Sequence, residues 1–125
     1  MIIKEFNDDD LKIHEGFFEN RPKKPSKKEH LEILRDSYKS IIAIDRDCII
    51  GFLTIISDKH LCAYIALFEI VKEYRNKGIG KKMFKMAMDI TKDFYMIDLT
   101  CDDNMIAFYE KMGMFRLNAM IKRNR

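Results

Sequence analysis

A chain of 125 residues, 47% hydrophobic and 34% charged, is sized for one domain whose core needs neither disulfides nor metal. Its net charge of +3 comes from 23 basic and 20 acidic residues, too even a balance to argue for a nucleic-acid partner. Apolar runs stop near ten residues, short of a bilayer span, and Met1-Ile2-Ile3 opens a strand pattern, so neither a membrane segment nor a signal peptide is expected.

Met1 to Phe6 reads as a first strand. Asp8-Asp9-Asp10 offers N-cap oxygens for a helix carrying Leu11, His14, Phe17 and Phe18. The stretch from Glu19 to Ser26 ends it, because both prolines, Pro22 and Pro25, lie there. Ser26-Lys27-Lys28-Glu29 has capping-box spacing and predicts a second helix with Leu31, Leu34 and Tyr38 on its apolar face. Ser40–Asp45 and Cys48–Ser57 read as an antiparallel hairpin turning at Arg46-Asp47, with Gly51 marking a bulge or a close neighbour. Leu61–Val71 is the fourth strand. The helix after Gly78 buries Ile79, Met83, Met86, Ala87 and Ile90 at a period near 3.6. Asp93–Cys101 is a fifth strand, parallel to the fourth across an ordinary crossover. Asn104–Met112 is a short helix stopped by Gly113, Phe115–Ile121 is a last strand, and Lys122-Arg123-Asn124-Arg125 is a basic tail.

The order β-α-α-β-β-β-α-β-α-β predicts an α/β class fold: one mixed, mostly antiparallel sheet of about six strands with helices on its faces. No repeat or linker divides residues 1–125, so a single domain is expected. Cys48, Cys62 and Cys101 are odd in number and lack C-x-x-C spacing, which suits reduced thiols in a cytoplasmic protein. His14, His30 and His60 share no ligand spacing, so they read as surface or packing residues and no metal is expected.

The stretch Val71 to Lys82 lies between a strand and a helix, with Gly78 and Gly80 at the turn. Glycines there admit a ligand close to the backbone and to the free N–H groups of the helix start, a setting that favours phosphate. Arg75, Lys77, Lys81 and Lys82 add positive charge. A P-loop pattern fails because Lys82 stands where Ser or Thr is needed. A dinucleotide fingerprint is incomplete because Met83 replaces its third glycine. The remaining pattern, R/Q-x-x-G-x-G/A, is met by Arg75-Asn76-Lys77-Gly78-Ile79-Gly80. With the strand end Phe68-Glu69-Ile70 before it and Asn104-Met-Ile-Ala-Phe-Tyr-Glu-Lys-Met-Gly-Met114 about thirty residues on, the chain resembles the GNAT acetyltransferases along essentially its whole length. Lys72, Asn76 and Met114 depart from the family's usual proline, glycine and aromatic residue.

The resemblance implies an acetyl-CoA-dependent N-acetyltransferase working by direct transfer in a ternary complex. Its pyrophosphate site would be the turn Arg75, Asn76, Lys77, Gly78, Ile79, Gly80 and Lys81. Its pantetheine arm would lie along the backbone near Phe68, Ile70 and Val71, in a gap between the fourth and fifth strands. Asn104 and Phe108 would complete the donor site. Tyr109 matches the family's tyrosine near the thioester sulfur, where it would donate to the leaving thiolate. Glu69, the one carboxylate in an apolar run, is the candidate general base if desolvated; Asp98 is a weaker one. Many relatives place their base where this chain has Tyr64 and Ala66, and Glu69 would share a face with Tyr64 only if a bulge intervened. The basic run Lys23, Lys24, Lys27 and Lys28 reads as a solvated loop before a lure for an acidic substrate. A small-molecule amine is the expected acceptor, with a protein or peptide amine, or a non-catalytic acyl-CoA-binding module, as alternatives. A monomer or homodimer is expected.

Overall fold

The computed structural model of the chain describes residues 1–7 and 11–124. Six strands make one sheet: β1 (Ile2–Glu5), β2 (Lys12–Ile13), β3 (Lys39–Asp45), β4 (Cys48–Ser57), β5 (Cys62–Ile70) and β6 (Met96–Asp98). They lie in the order β1-β3-β4-β5-β6, with β2 beside the start of β4. The β1–β3, β3–β4 and β4–β5 pairs are antiparallel, while β2–β4 and β5–β6 are parallel. The hairpin turns on Arg46 and Asp47, whose φ angles of 53° and 63° suit the twist of the flanking strands.

Alternation along β4 separates two helical layers. Gly51 faces α2 (Ile79–Ile90): a Cβ on it would meet Met83 Sδ and Ala43 Cβ at 3.3 Å. The next residue, Phe52, faces α1 (Lys27–Asp36), with the His30 ring 4.3 Å away between centroids. A bulge also falls here, since Ala43 opposes Gly51 while Ile44 opposes Ile49. Helices thus cover both faces, and β3 and β4 between them are buried almost end to end.

The capping box forms as expected: Ser26 Oγ accepts the Glu29 N–H and Glu29 Oε1 accepts the Ser26 N–H. The fully buried residues of α1 are His30 and Leu34, and those of α2 are Ile79, Met83, Phe84 and Ala87. A 3₁₀ turn at Asp103–Met105 leads into α3 (Ile106–Lys111), and Gly113 ends it at φ 97°.

Two expected elements do not form. The helix foreseen over Leu11, His14, Phe17 and Phe18 is instead β2 followed by a turning segment, so the order is β-β-α-β-β-β-α-β-α. Phe18 and Asn20 take φ angles of 62° and 65°, and the His14 ring accepts the Gly16 N–H, none of which a helix allows. Phe17 and Phe18 are buried side by side against Phe52, a packing that helical spacing cannot give. The Asp8–Asp10 cap lies outside the described residues. The last strand foreseen at 115–121 has no sheet partner, and Phe115, Leu117, Met120 and Ile121 are exposed. The fifth strand shortens to β6, and the fourth to β5.

Candidate active site

Between β5 and α2 the chain makes one 3₁₀ turn, Lys72–Tyr74, then the basic turn. Asn76 and Gly78 both have positive φ, 62° and 82°. Asparagine is among the side chains that tolerate that region, so the departure from glycine at 76 leaves the turn intact. Gly78 is the N-cap residue of α2 and no side chain caps the helix, so the first-turn N–H groups keep no intrahelical partner. A Cβ on Gly80 would lie 3.2 Å from Ile70 Cδ1 and 3.7 Å from Phe68 Cζ, which packs the helix start directly on the end of β5. Arg75, Lys77, Lys81 and Lys82 are exposed around it. Free N–H groups, the positive helix end and four cations fit a pyrophosphate group.

On its far side β5 pairs with β6 only from Cys62 to Tyr64, whose partner is Asp98. Beyond Tyr64 it stays paired with β4 to Ile70, so a gap opens between β5 and the chain leaving β6. Tyr64 Oη spans its narrow end to Thr100 Oγ1 at 3.3 Å. On the α2 side of the sheet stands Tyr109 of α3, edge-on to Phe84 and Phe108 at centroid distances of 5.4 and 5.1 Å. Burial, with a smaller contribution from Cys101, pushes its phenol up to about 12. Among the described residues no protein group hydrogen-bonds its hydroxyl.

Glu69 faces the other side. Thr54 opposes Leu67 but Ile55 opposes Ile65, so Ala66 is an extra, bulged residue on β5. The bulge puts Glu69, opposite Phe52, on the same face as Tyr64, opposite Ile56. There Glu69 Oε1 accepts the Phe18 N–H at 2.7 Å, and Oε2 lies 3.8 Å from Arg21 Nη2. The carboxylate therefore grips the segment between β2 and α1. Lys24 Nζ donates to the Glu15 carbonyl and Lys27 Nζ sits 3.6 Å from Glu15 Oε1, so part of the basic run pins the same segment.

The structure brings Phe68, Ile70, Arg75, Gly78, Ile79, Gly80 and Lys81 to one corner, with Asn76 and Lys77 in the turn. Val71 differs: its N–H goes to the Ile50 carbonyl and its own carbonyl accepts from Tyr74, which leaves one carbonyl lone pair and no N–H for a ligand. The Ile70 carbonyl accepts from Arg75 Nε at 2.8 Å. Asn104 is exposed in the 3₁₀ turn, and Phe108 is half-buried beside Tyr109. Tyr109 and Glu69 lie on opposite faces of the sheet, the first with Phe84, the second with Phe18. Residues sequence reasoning did not assign to the site are Phe18, Arg21 and Thr100. The extra residue at Ala66 was the missing signal, and no sequence pattern marked it.

The acetyltransferase (GNAT) family model matches residues 4–114. The chain belongs to the GNAT acetyltransferase family. It is 34% identical over 92 residues to N-alpha-acetyltransferase 30 of Schizosaccharomyces pombe, a match covering 66% of this chain and 61% of that protein. Among solved structures, a protein of Deinococcus radiodurans R1 assigned to the acetyltransferases has 36% identity and a TM-score of 0.83, over 87% of this chain and 77% of that one. Ard1 of Thermoplasma volcanium shares the fold, with a TM-score of 0.74 at 21% identity, over 94% and 84% of the two chains. Among the described residues no helix is long and apolar enough to cross a membrane, and no group of three or more His, Cys, Asp or Glu is placed to hold a metal.

Proposed function

We propose that this chain moves an acetyl group from acetyl-CoA to the α-amino group of a polypeptide, by direct transfer in a ternary complex. The observation that carries the donor is the juxtaposition of the uncapped α2 start with the unpaired stretch of β5. Acetyl-CoA supplies an activated thioester; the chain supplies the cradle, an open strand edge and a phenol. Residues 75–81 would hold the pyrophosphate, and the backbone near Phe68 and Ile70 would flank the pantetheine arm. The Val71 N–H is already bonded to Ile50, so only its carbonyl could take part.

Tyr109 would donate a hydrogen bond to the leaving sulfur and keep its proton. With its phenol at about 12 and a thiol near a reference value of about 8.5, full proton transfer would be uphill by about 5 kcal/mol. The acceptor ammonium would release its proton to water at the narrow end of the gap, beside Tyr64, Asp98 and Thr100.

The acceptor rests on the openness of that side. Ile56 is 55% exposed and Tyr64 39%, forming an uncovered strip on the Glu69 face rather than an enclosed pocket wall. Such a strip suits an extended peptide end, and the N-alpha-acetyltransferase relative supports the same reading. A small-molecule amine is the second reading, favoured if the exposed segment 115–124 folds over the strip. Free-thiol release measured over peptides with free N-termini, amino acids, polyamines and amino sugars tests both. Turnover confined to peptides supports the first reading; turnover confined to small amines replaces it. Binding of acetyl-CoA without thiol release over the whole panel would leave only a binding module.

A further inference from the structure

Residues 14–21 cross the Glu69 face of the sheet without forming a regular element, yet both their phenylalanines are buried. Phe17 packs edge-on against Phe52 and His30, and Phe18 edge-on against His30 and tilted against Phe52. The Phe18 backbone sits at φ 62°, a strained region for a bulky side chain, which persists only where the surroundings impose it. The Phe18 N–H in this conformation donates to Glu69 Oε1 at 2.7 Å, across 51 residues of sequence. Arg21, at the end of the same turn, lies over the Phe18 ring and within 3.8 Å of the second Glu69 oxygen.

One oxygen of this carboxylate is committed to the Phe18 N–H; the other is buried, 3.8 Å from Arg21 Nη2, with no hydrogen-bond partner. The Ala66 bulge puts Glu69 on the same face as Tyr64, so the segment it grips covers the sheet face that also carries the open strip at Ile56 and Tyr64. We propose that Glu69 is a positioning residue that sets acceptor affinity by clamping residues 14–21 at the Phe18 N–H, and not the general base. The proposal rests on the acyl-transfer reading above for its effect on the acceptor, but the clamp itself is a separate physical claim.

Two variants and two readouts test it. Glu69→Gln keeps an oxygen for the Phe18 N–H but cannot act as a base; Glu69→Ala removes both. Expected for Glu69→Ala is an acceptor KM at least tenfold higher, an unchanged acetyl-CoA Kd, and Phe18 amide hydrogen exchange at least tenfold faster. Expected for Glu69→Gln is kcat within about threefold of the parent, the same acid limb of kcat/KM, and a protected Phe18 amide. A Glu69→Gln variant that loses kcat as severely as Glu69→Ala, or loses the acid limb, would overturn the proposal in favour of the base. Unchanged Phe18 exchange in Glu69→Ala would overturn the clamp. If the parent chain releases no thiol with any amine, the functional reading and the acceptor claim fail together. The exchange measurement then still passes or fails the clamp alone.

Discussion

On the α2 face of β5, the groups aimed at a ligand belong to the main chain: the uncapped N–H groups of Ile79 to Lys81 and the strand edge beyond Tyr64. On the opposite face, the groups that shape the surface are side chains reaching across the fold: Glu69 to Phe18, His30 into Phe17, Phe18 and Phe52. Backbone donors tolerate side-chain change as long as the turn survives. A wall built from long-range side-chain contacts varies with each of them. On the function proposed above, the first is the donor face, able to serve a constant donor, and the second the acceptor face, free to differ between acceptors.

The largest expected effect falls on the acceptor face. Burial in its phenylalanine cage lowers His30 from 6.5 to about 4, and its Nε2 has no partner. The folded state therefore holds this ring neutral. Its contribution is complete above pH 6.5 and is lost as pH falls through that value toward 4, amounting to roughly 3 kcal/mol. Urea unfolding at pH 7.5 and 4.5 should show that loss, and His30→Phe should flatten it. A His30→Phe variant with the parent's full acid sensitivity would mean that the titration lies elsewhere. On the donor face, Tyr109→Phe should lower kcat roughly a hundredfold, as loss of one preorganised donor does elsewhere. The acetyl-CoA Kd should stay within about threefold. An unchanged kcat would remove Tyr109 from the chemistry.

The same contrast decides what the sequence could reveal. The β3–β4 hairpin, its Arg46-Asp47 turn, the Ser26 capping box, α2 and the Gly113 stop are local devices, each written within a few residues. The basic turn is local too, so its place between β5 and α2, from Arg75 to Lys81, could be read directly. Leu11 to Phe18 misled because its apolar residues happen to match a helical period, while their true partner, Phe52, lies more than thirty residues away. Residues 115–121 alternate like a strand, yet alternation cannot supply a neighbouring edge. The face of Glu69 depended on the Ala66 bulge, a register fact that exists only once β4 and β5 are paired. His30 was legible as a packing residue but not as the centre of a cage.

A smaller effect should separate donor geometry from donor chemistry. Gly78 sits at φ 82° with nothing within 4 Å of the Cβ position, so a side chain there meets strain and not a clash. A β-branched residue in that region costs about 1–2 kcal/mol. Gly78→Val should weaken acetyl-CoA about tenfold by calorimetry, while kcat at saturating donor changes little. If kcat falls with affinity unchanged, the turn is not what holds the donor.

The smallest effect asks whether the two faces are independent. Ser26 starts α1, and through α1 it fixes His30 and Leu34 on the acceptor face; it touches nothing on the donor face. Removing the cap oxygen in Ser26→Ala should cost about 1 kcal/mol, a drop of a few degrees in Tm, and Ser26→Asp should restore most of it. Acetyl-CoA affinity should not move in either variant, because β3 and β4 lie between α1 and α2 as a rigid, buried layer. The acceptor KM should rise in step with the loss of α1 stability. If Ser26→Ala weakens acetyl-CoA as well, the sheet transmits strain from one face to the other. Donor and acceptor binding would then be thermodynamically coupled, and the Glu69 clamp would have to be retested with donor bound.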